Sequence, residues 1–333
     1  MPDSSQMARE IAEMPDAVAR LAGIGCREIS QNIAGQLRAL DPPALLTVAR
    51  GSSDHAATYL SYATQMVLGI PVASVGPSIS SVYQRSLKVR GLPVVAISQS
   101  GTSTDIVSVC GSFSSQGGSV VALTNSIKSP LAAAAGSVID IHAGPEHAIA
   151  ATKSCLNSIV AGLWLLADWA EDASLLTALE KLPDAMTDVA QLAVPSDVSD
   201  ALGGASKVVI LGRGAGLGLA KEVALKLIET CGIQAVAYSS AEVLHGPNAM
   251  LTGGYPVLAL ETGTKGAMHE TLDRLRGQRA RVVVLSEKQQ TGHLLVDPLL
   301  DLQPIYRIVE GMARARGFNP DRPRHLQKET NTT

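Results

Sequence analysis

The sequence repeats itself. Arg50-Gly51 returns as Arg213-Gly214, Gly69-Ile70 as Gly232-Ile233, Pro93-Val94 as Pro256-Val257 and Val120-Val121 as Val283-Val284, every pair 163 residues apart. A lone glycine or valine pair recurs by chance, but four landmarks in one register without a gap indicate an internal duplication. A duplicated chain must bury two equivalent cores, and 333 residues supply two domains of ordinary size.

What is duplicated is an alternation. In the first copy, residues 45–49, 72–75, 94–97, 120–123 and 138–141 are short apolar runs separated by helix-length amphipathic stretches; in the second, 208–211, 235–238, 257–260 and 282–285 are. That alternation predicts an α/β fold with a parallel sheet in each copy. Hydrophobic residues make up 46% of the chain but aromatics only 3%. The cores must therefore rest on Ala, Val, Leu and Ile, a diet that suits helices packed on parallel strands.

Around the copies, residues 8–21 carry apolar positions at helical spacing interrupted by Pro15, which makes 1–27 a docking helix rather than a domain. The first domain is expected over 28–172 and the second over 199–333. Between them, 173–198 reads as a helical connector with Pro183 and Pro195 as punctuation. The tail beyond Pro320 is rich in charge and proline, and by composition alone reads as a disordered end.

Several classes of function drop out. A net charge of −3, from 27 basic and 30 acidic residues, gives no basic stripe, and the few aromatics offer no platform for stacking bases, so nucleic acid is not an expected partner. Residues 159–167, among the longest apolar stretches, are too short to span a bilayer, and 1–10 is polar rather than a signal peptide, so no membrane partner is expected either. Cys26, Cys110, Cys155 and Cys231 are far apart. That pattern fits four buried thiols in a reduced, cytoplasmic compartment, and speaks against a disulfide framework or a zinc site. His55, His142, His147, His269, His293 and His325 show no metal-ligand spacing, and no metal or cofactor is expected.

In an open parallel sheet, ligands sit where strands end and helices begin, against free N–H groups and the positive end of the helix dipole. Two such loops in the first copy are dense in polar side chains: Arg50-Gly51-Ser52-Ser53-Asp54-His55, and Ser98-Gln99-Ser100-Gly101-Thr102-Ser103-Thr104-Asp105. A phosphate monoester can be held by hydroxyls and backbone N–H groups without a metal. The same residues could merely cap the next helix, but a cap needs one hydroxyl and the second loop offers several. The loop from Gly144 to Lys153 is a third candidate. The equivalents in the second copy are Gly212-Arg213-Gly214-Ala215-Gly216-Leu217-Gly218, which has lost its hydroxyls, and Glu261-Thr262-Gly263-Thr264-Lys265. The glycine run fails the dinucleotide spacing, because Leu217 and Leu219 fall where a small residue is needed, and no Walker A pattern occurs. One phosphate site in the first copy, with catalytic groups from the second, is the expectation.

For catalysis, Lys226 and Glu229 are a polar pair among Ala224, Leu225, Leu227 and Ile228 on a helix predicted over 219–231. They are either one exposed helix face or a carboxylate partly withdrawn from water and suited to act as a base. His245 lies in a turn that ends Gly246-Pro247.

Taken together, these residues resemble the SIS (sugar isomerase) domain family, and nearly the whole chain resembles the isomerase half of glucosamine-6-phosphate synthases. Ser98-Gln99-Ser100-Gly101 matches the phosphate loop of that family, Leu225-Lys226-Leu227-Ile228-Glu229 its catalytic helix, His245-Gly246-Pro247 its histidine turn, and Leu326-Gln327-Lys328 its lysine-bearing C-terminus. The resemblance implies two tandem SIS domains, each a three-layer α/β/α unit of flavodoxin-like topology. It implies phosphate and substrate contacts from Ser53, Ser98, Gln99, Ser100, Ser103, Ile149 and Ala151, and catalysis by Lys226, Glu229, His245 and Lys328. His245 would open the sugar ring, Glu229 would move a proton between the first two carbons, and Lys328 would fold over the substrate on an ordered tail. It also implies a homodimer, with His245 supplied across the interface.

Departures bear on the reaction. The chain begins Met1-Pro2-Asp3, with no room for a glutamine-hydrolysing domain, so ammonia from glutamine in the same chain is not expected. Arg50-Gly51-Ser52-Ser53 replaces Cys-Gly-Thr-Ser, and Ala151 replaces a serine. Standalone chains of this kind resemble amino sugar-phosphate deaminases, which implies conversion of glucosamine 6-phosphate to fructose 6-phosphate and ammonia. An isomerase or deglycase for galactosamine 6-phosphate or a fructosyl amino acid phosphate is the alternative, with a non-catalytic sugar-phosphate sensor behind it.

Overall fold

A computed structural model describes residues 4–261, 266–285 and 291–328. In order, the chain forms α1 (Gln6–Ala12), α2 (Met14–Leu21), α3 (Ile24–Leu40), β1 (Leu45–Val48), α4 (Gly51–Leu68), β2 (Val72–Ser74), α5 (Ser78–Ser81), β3 (Pro93–Ile97), α6 (Thr104–Ser115), β4 (Ser119–Thr124), α7 (Pro130–Ala134), β5 (Ser137–Asp140) and α8 (Lys153–Ala170). There follow α9 (Ala173–Gln191), α10 (Ser196–Leu202), β6 (Lys207–Gly212), α11 (Gly216–Cys231), β7 (Gln234–Ser239), β8 (Pro256–Leu260), α12 (His269–Gly277), β9 (Arg281–Leu285) and α13 (Leu302–Ala315).

Two compact units result, and neither is one continuous stretch of chain. The first-sheet unit holds Asp16–Glu146, Lys153–Glu180 and 327–328; the second-sheet unit holds 4–15, His147–Thr152 and Lys181–Leu326.

In the first-sheet unit the strand order is β2-β1-β3-β4-β5, all parallel, which is the flavodoxin-like arrangement. The central strand β3 is Val-rich and buried throughout, as a parallel strand covered on both faces must be. One face packs Val48, Val94, Ala96 and Val120 against Ile106, Val109, Cys110 and Phe113 of α6. Elsewhere α8 packs on α3 and α4, and every residue of α8 from Lys153 to Trp169 is buried. The apolar stretch 159–167 is thus the middle of a core helix, and no helix among the described residues is long and apolar enough to cross a membrane. The acidic group near the end of α8, Asp168, is met by Arg27 through two bonds of 2.8 Å and by Ser30 at 2.6 Å, which is how a buried charge avoids a large desolvation penalty.

The second-sheet unit has the order β7-β6-β8-β9, again all parallel. It therefore reproduces the first four positions of the other sheet. The duplication extends to helix ends: α4 stops at Gly69 (φ 68°) and α11 at Gly232 (φ 63°), both left-handed caps. Helix α1 lies against α13 in this unit. Its N-terminal backbone donates to Asp321, from Gln6 at 2.9 Å and Met7 at 2.8 Å, and Ser5 bonds Glu310 at 2.7 Å.

Two sequence expectations need correction. Pro183 does not punctuate anything; α9 runs through it, because the buried series Leu175, Leu179, Leu182, Met186 and Val189 keeps helical spacing across the missing N–H. Pro195 does mark a boundary, as the residue before α10. Cys26 is half-exposed rather than buried, while Cys110, Cys155 and Cys231 are buried, and all four are free thiols.

Candidate functional site

The hydroxyl-rich loop begins where β3 runs out. Ser98 continues the ladder, donating to Leu123 O at 3.1 Å. Its Oγ accepts Gly101 N at 3.2 Å, and Ser100 and Thr102 share a 2.7 Å hydroxyl contact. The turn is closed from the next loop: Asn125 N donates to Gln99 O at 3.1 Å and Leu131 N to Gly101 O at 3.0 Å. Gly101 is obligatory, since φ is +67° and a Cβ there would stand 2.1 Å from Ser129 Oγ.

Capping does not account for the loop. Ser103 is the residue before α6, yet its side chain makes no cap hydrogen bond. Gln99, Ser100, Thr102 and Ser103 are all half-buried, in the turn that leads into the N-terminus, the positive end, of α6. Ser53 stands half-buried in the first turn of α4, and the residue before α4 is Arg50. Arg50 Nε and Nη2 each lie 3.0 Å from Asp105 Oδ2, tying the β1 and β3 loops together.

The third candidate loop is fixed by buried acids that the sequence reading passed over. Within the first-sheet unit, Glu146 accepts Ser154 N at 3.1 Å and Ser154 Oγ at 2.5 Å, capping α8 from outside. Lys328 Nζ approaches the same carboxylate at 3.3 Å, so the lysine of the tail is placed by an ion pair. Within the second-sheet unit, Glu10 of α1 accepts the N–H groups of His147 at 2.5 Å and Ala148 at 3.3 Å, and Ile149 N donates to Asp321 O at 3.1 Å. Ile149 and Ala151 are half-buried there.

On α11 the choice between an exposed face and a withdrawn pair is decided. Lys226 is 1% exposed, with Nζ 2.5 Å from Glu229 Oε2 and 3.6 Å from Glu222 Oε1. Glu222, also buried, accepts from Tyr306 Oη at 3.3 Å. Glu229 keeps 19% of its side chain exposed, so of the two carboxylates it is the one a ligand can reach. The i, i+4 spacing of Glu222 and Lys226 could have disclosed the second acid, but Lys221-Glu222 has the look of an ordinary surface pair. His245 is exposed at the end of the short 3₁₀ turn Glu242–His245.

The glycine run after β6 is a tight strand-to-helix turn: a Cβ on Gly212 would lie 2.3 Å from Gly216 O. Residues 262–265 of the last candidate loop, and the tail residues 329–333, lie outside the described residues. Among the described residues no group of three or more His, Cys, Asp or Glu side chains is arranged to hold a metal ion.

Thus Ser53, Ser98, Gln99, Ser100, Ser103 and Lys328 belong to the first-sheet unit, and Ile149, Ala151, Lys226, Glu229 and His245 to the second-sheet unit.

Comparison with known proteins yields consistent matches. The SIS domain model matches residues 41–167 and 201–291. The glutamine–fructose-6-phosphate aminotransferase (isomerizing) of Symbiobacterium thermophilum is 33% identical, over 97% of this chain and 58% of that protein. The chain spans only 58% and 56% of the length of the first two curated relatives it matches. A candidate phosphosugar isomerase from Silicibacter pomeroyi has a crystal structure that superposes with a TM-score of 0.89 at 43% identity, covering 96% of this chain and all of that one. The glucosamine-6-phosphate deaminase of Thermotoga maritima shares the fold, with a TM-score of 0.74 at 21% identity over 98% of this chain and 100% of its own.

Proposed function

The chain belongs to the SIS domain family, and on that premise we propose that it is a phosphosugar isomerase that deaminates an amino sugar phosphate, glucosamine 6-phosphate, to fructose 6-phosphate and ammonia. The observation that carries the reading is the Lys226–Glu229 pair. A reachable carboxylate held at 2.5 Å on a buried ammonium is an arrangement for moving protons, and a passive binding protein has no need of it.

The residues take roles in this order. Ser98, Gln99, Ser100, Ser103 and Ser53 hold the phosphate by hydroxyl and helix-terminal contacts, with Ile149 and Ala151 beside the sugar. His245 assists ring opening to the aldehyde, in a homodimer whose other copy supplies it, and Lys328 closes over the bound sugar. Glu229 takes the proton from carbon 2 as the aldehyde oxygen gains one, giving a 1,2-enaminol. Returning the proton to carbon 1 leaves an imine at carbon 2. Water then replaces nitrogen, releasing ammonia and the ketose; carbon 1 is reduced and carbon 2 oxidised, so neither a redox cofactor nor a metal enters the balance. Transfer between adjacent carbons by one carboxylate has physical precedent in aldose–ketose isomerisation.

The test is to incubate the pure protein with glucosamine 6-phosphate, galactosamine 6-phosphate and fructosyl amino acid phosphates, following ammonia and ketose. Turnover of glucosamine 6-phosphate supports the reading, and turnover of none of them sinks it. Glu229→Gln should lower kcat by roughly 10²- to 10⁴-fold and leave phosphate affinity unchanged, because the base acts in the chemical step alone.

A further inference from the structure

The phosphate loop carries an electrostatic problem. Asp105 sits in the first turn of α6 with its side chain only 1% exposed, at the same helix terminus to which the phosphate is assigned. Its Oδ1 already accepts the N–H of Ile106 at 2.8 Å. A carboxylate and a phosphate dianion at one helix N-terminus compete for the same dipole and repel each other at short range.

The residue that answers it is Arg50. In the order β2-β1-β3-β4-β5, the connections from β1 and from β3 leave in opposite directions, so a crevice opens between the ends of these two strands. Arg50 stands at the end of β1 before α4 and reaches to Asp105 at the start of α6, spanning that crevice. Its side chain remains 51% exposed, and both contacts go to a single carboxylate oxygen through Nε and Nη2, which leaves Nη1 without a protein acceptor among the described residues. An arginine fork with a free edge at the mouth of an anion site is a bidentate phosphate ligand in waiting.

We propose that Arg50 is an affinity-determining residue of the phosphate site: it neutralises Asp105 across the β1–β3 crevice and offers its remaining guanidinium edge to the bound phosphate. The inference rests on the phosphate reading of the loop from Ser98 to Ser103. Arg50 acts partly through Asp105 and partly by direct contact, and the two parts separate by substitution.

The probe is inorganic phosphate, titrated by calorimetry into the full-length protein and into Arg50→Met, Arg50→Lys, Asp105→Asn and the double variant Arg50→Met/Asp105→Asn. Steady-state kinetics with glucosamine 6-phosphate run in parallel. Arg50→Met should weaken phosphate binding roughly 10- to 100-fold, the span for losing charge-assisted hydrogen bonds, and raise KM by a similar factor with little change in kcat. Removing the carboxylate as well should restore about tenfold of that loss, Arg50→Lys should fall between, and Asp105→Asn alone should bind phosphate at least as tightly as the parent. A purely structural clamp predicts the opposite pattern: Arg50→Met melts earlier but binds as the parent does, and the double variant recovers nothing. Either result overturns the proposal, as does weaker binding by Asp105→Asn, which decides the matter even if Arg50→Met fails to fold. Parent protein that binds no phosphate removes the phosphate reading itself, whereas parent and Arg50→Met binding alike removes only the role of Arg50.

Discussion

A lysine enclosed between two carboxylates, as Lys226 is between Glu222 and Glu229, is held by a balance rather than by any one bond. Taking such a cation out of the interior removes the ammonium 3.6 Å from the buried Glu222, and breaking a buried pair in this way costs about 3–5 kcal/mol. Lys226→Met should therefore lower the thermal midpoint markedly as well as abolish turnover, and calorimetric unfolding at the parent's midpoint would expose the idea as wrong. Thiols give a second reading of local environment. Burial pushes Cys110 up to about 12 from its ordinary 9.0, and Cys26 is raised as well, by burial and then by Asp140. Cys26 is nevertheless the one thiol that is not buried, so brief alkylation of native protein should mark Cys26 first, and peptide mapping that found Cys110 modified first would contradict this. The sign for stability follows: the unfolded chain releases the Cys110 proton near 9.0 while the folded chain holds it to about 12. Stability should therefore fall as pH climbs past 9.0, and Cys110→Ala should flatten that decline in alkaline denaturant titrations. What sequence made visible here was chemical contrast, the polar pair in an apolar helix. Glu222, Glu146 and Glu10 stayed hidden because a glutamate followed or preceded by ordinary surface residues announces neither its burial nor a partner far away in the sequence, Tyr306, Lys328 and His147 respectively.

Strands and helices were the legible part, and the reason is register. The inner strands β3, β4, β6 and β8 are apolar runs buried over most of their length, and the duplication places β3 and β8 at equivalent positions over their full length. Loops were legible as hydroxyl-rich or glycine-rich, but not in their hydrogen bonding, which depends on neighbours distant in sequence. The turn at Gly101 shows what such closure demands. Gly101→Ala would put a β-carbon 2.1 Å from Ser129 Oγ and 3.1 Å from Thr124 Oγ1 while holding a non-glycine residue at φ +67°. Strain of that kind costs about 1–3 kcal/mol. The variant should melt earlier and lose most of its affinity for inorganic phosphate. Adding Ser129→Gly should recover part of the stability, since it removes both the Oγ and the β-carbon, 2.5 Å away, that clash, and leaves the dihedral strain; recovery of none of it would show that the clash is not the cause.

Neither compact unit is continuous along the chain, and this sets how the molecule tolerates truncation. The second-sheet unit draws on residues 4–15 as well as Lys181–Leu326. Met7, Ile11 and Met14 from that short opening segment are all buried, and Gln303 Nε2 bonds Ile11 O at 3.1 Å. Each such apolar side chain contributes about 1.5–3 kcal/mol when withdrawn from water, against a total stability of about 5–15 kcal/mol for a typical domain. The opening helix also supplies Glu10, whose carboxylate orders the backbone of His147 and Ala148 just ahead of Ile149. A variant lacking residues 1–15 should consequently do more than shed a peripheral segment: it should unfold at much lower denaturant concentration, and whatever folded fraction remains should show a raised KM. Substituting Glu10→Gln in the full chain isolates the second effect, since the helix stays and only the charge that gathers the two N–H groups is weakened. If the shortened chain melts within about 2 °C of the parent, the burial argument for α1 is wrong; if Glu10→Gln leaves KM untouched, the loop is ordered without it.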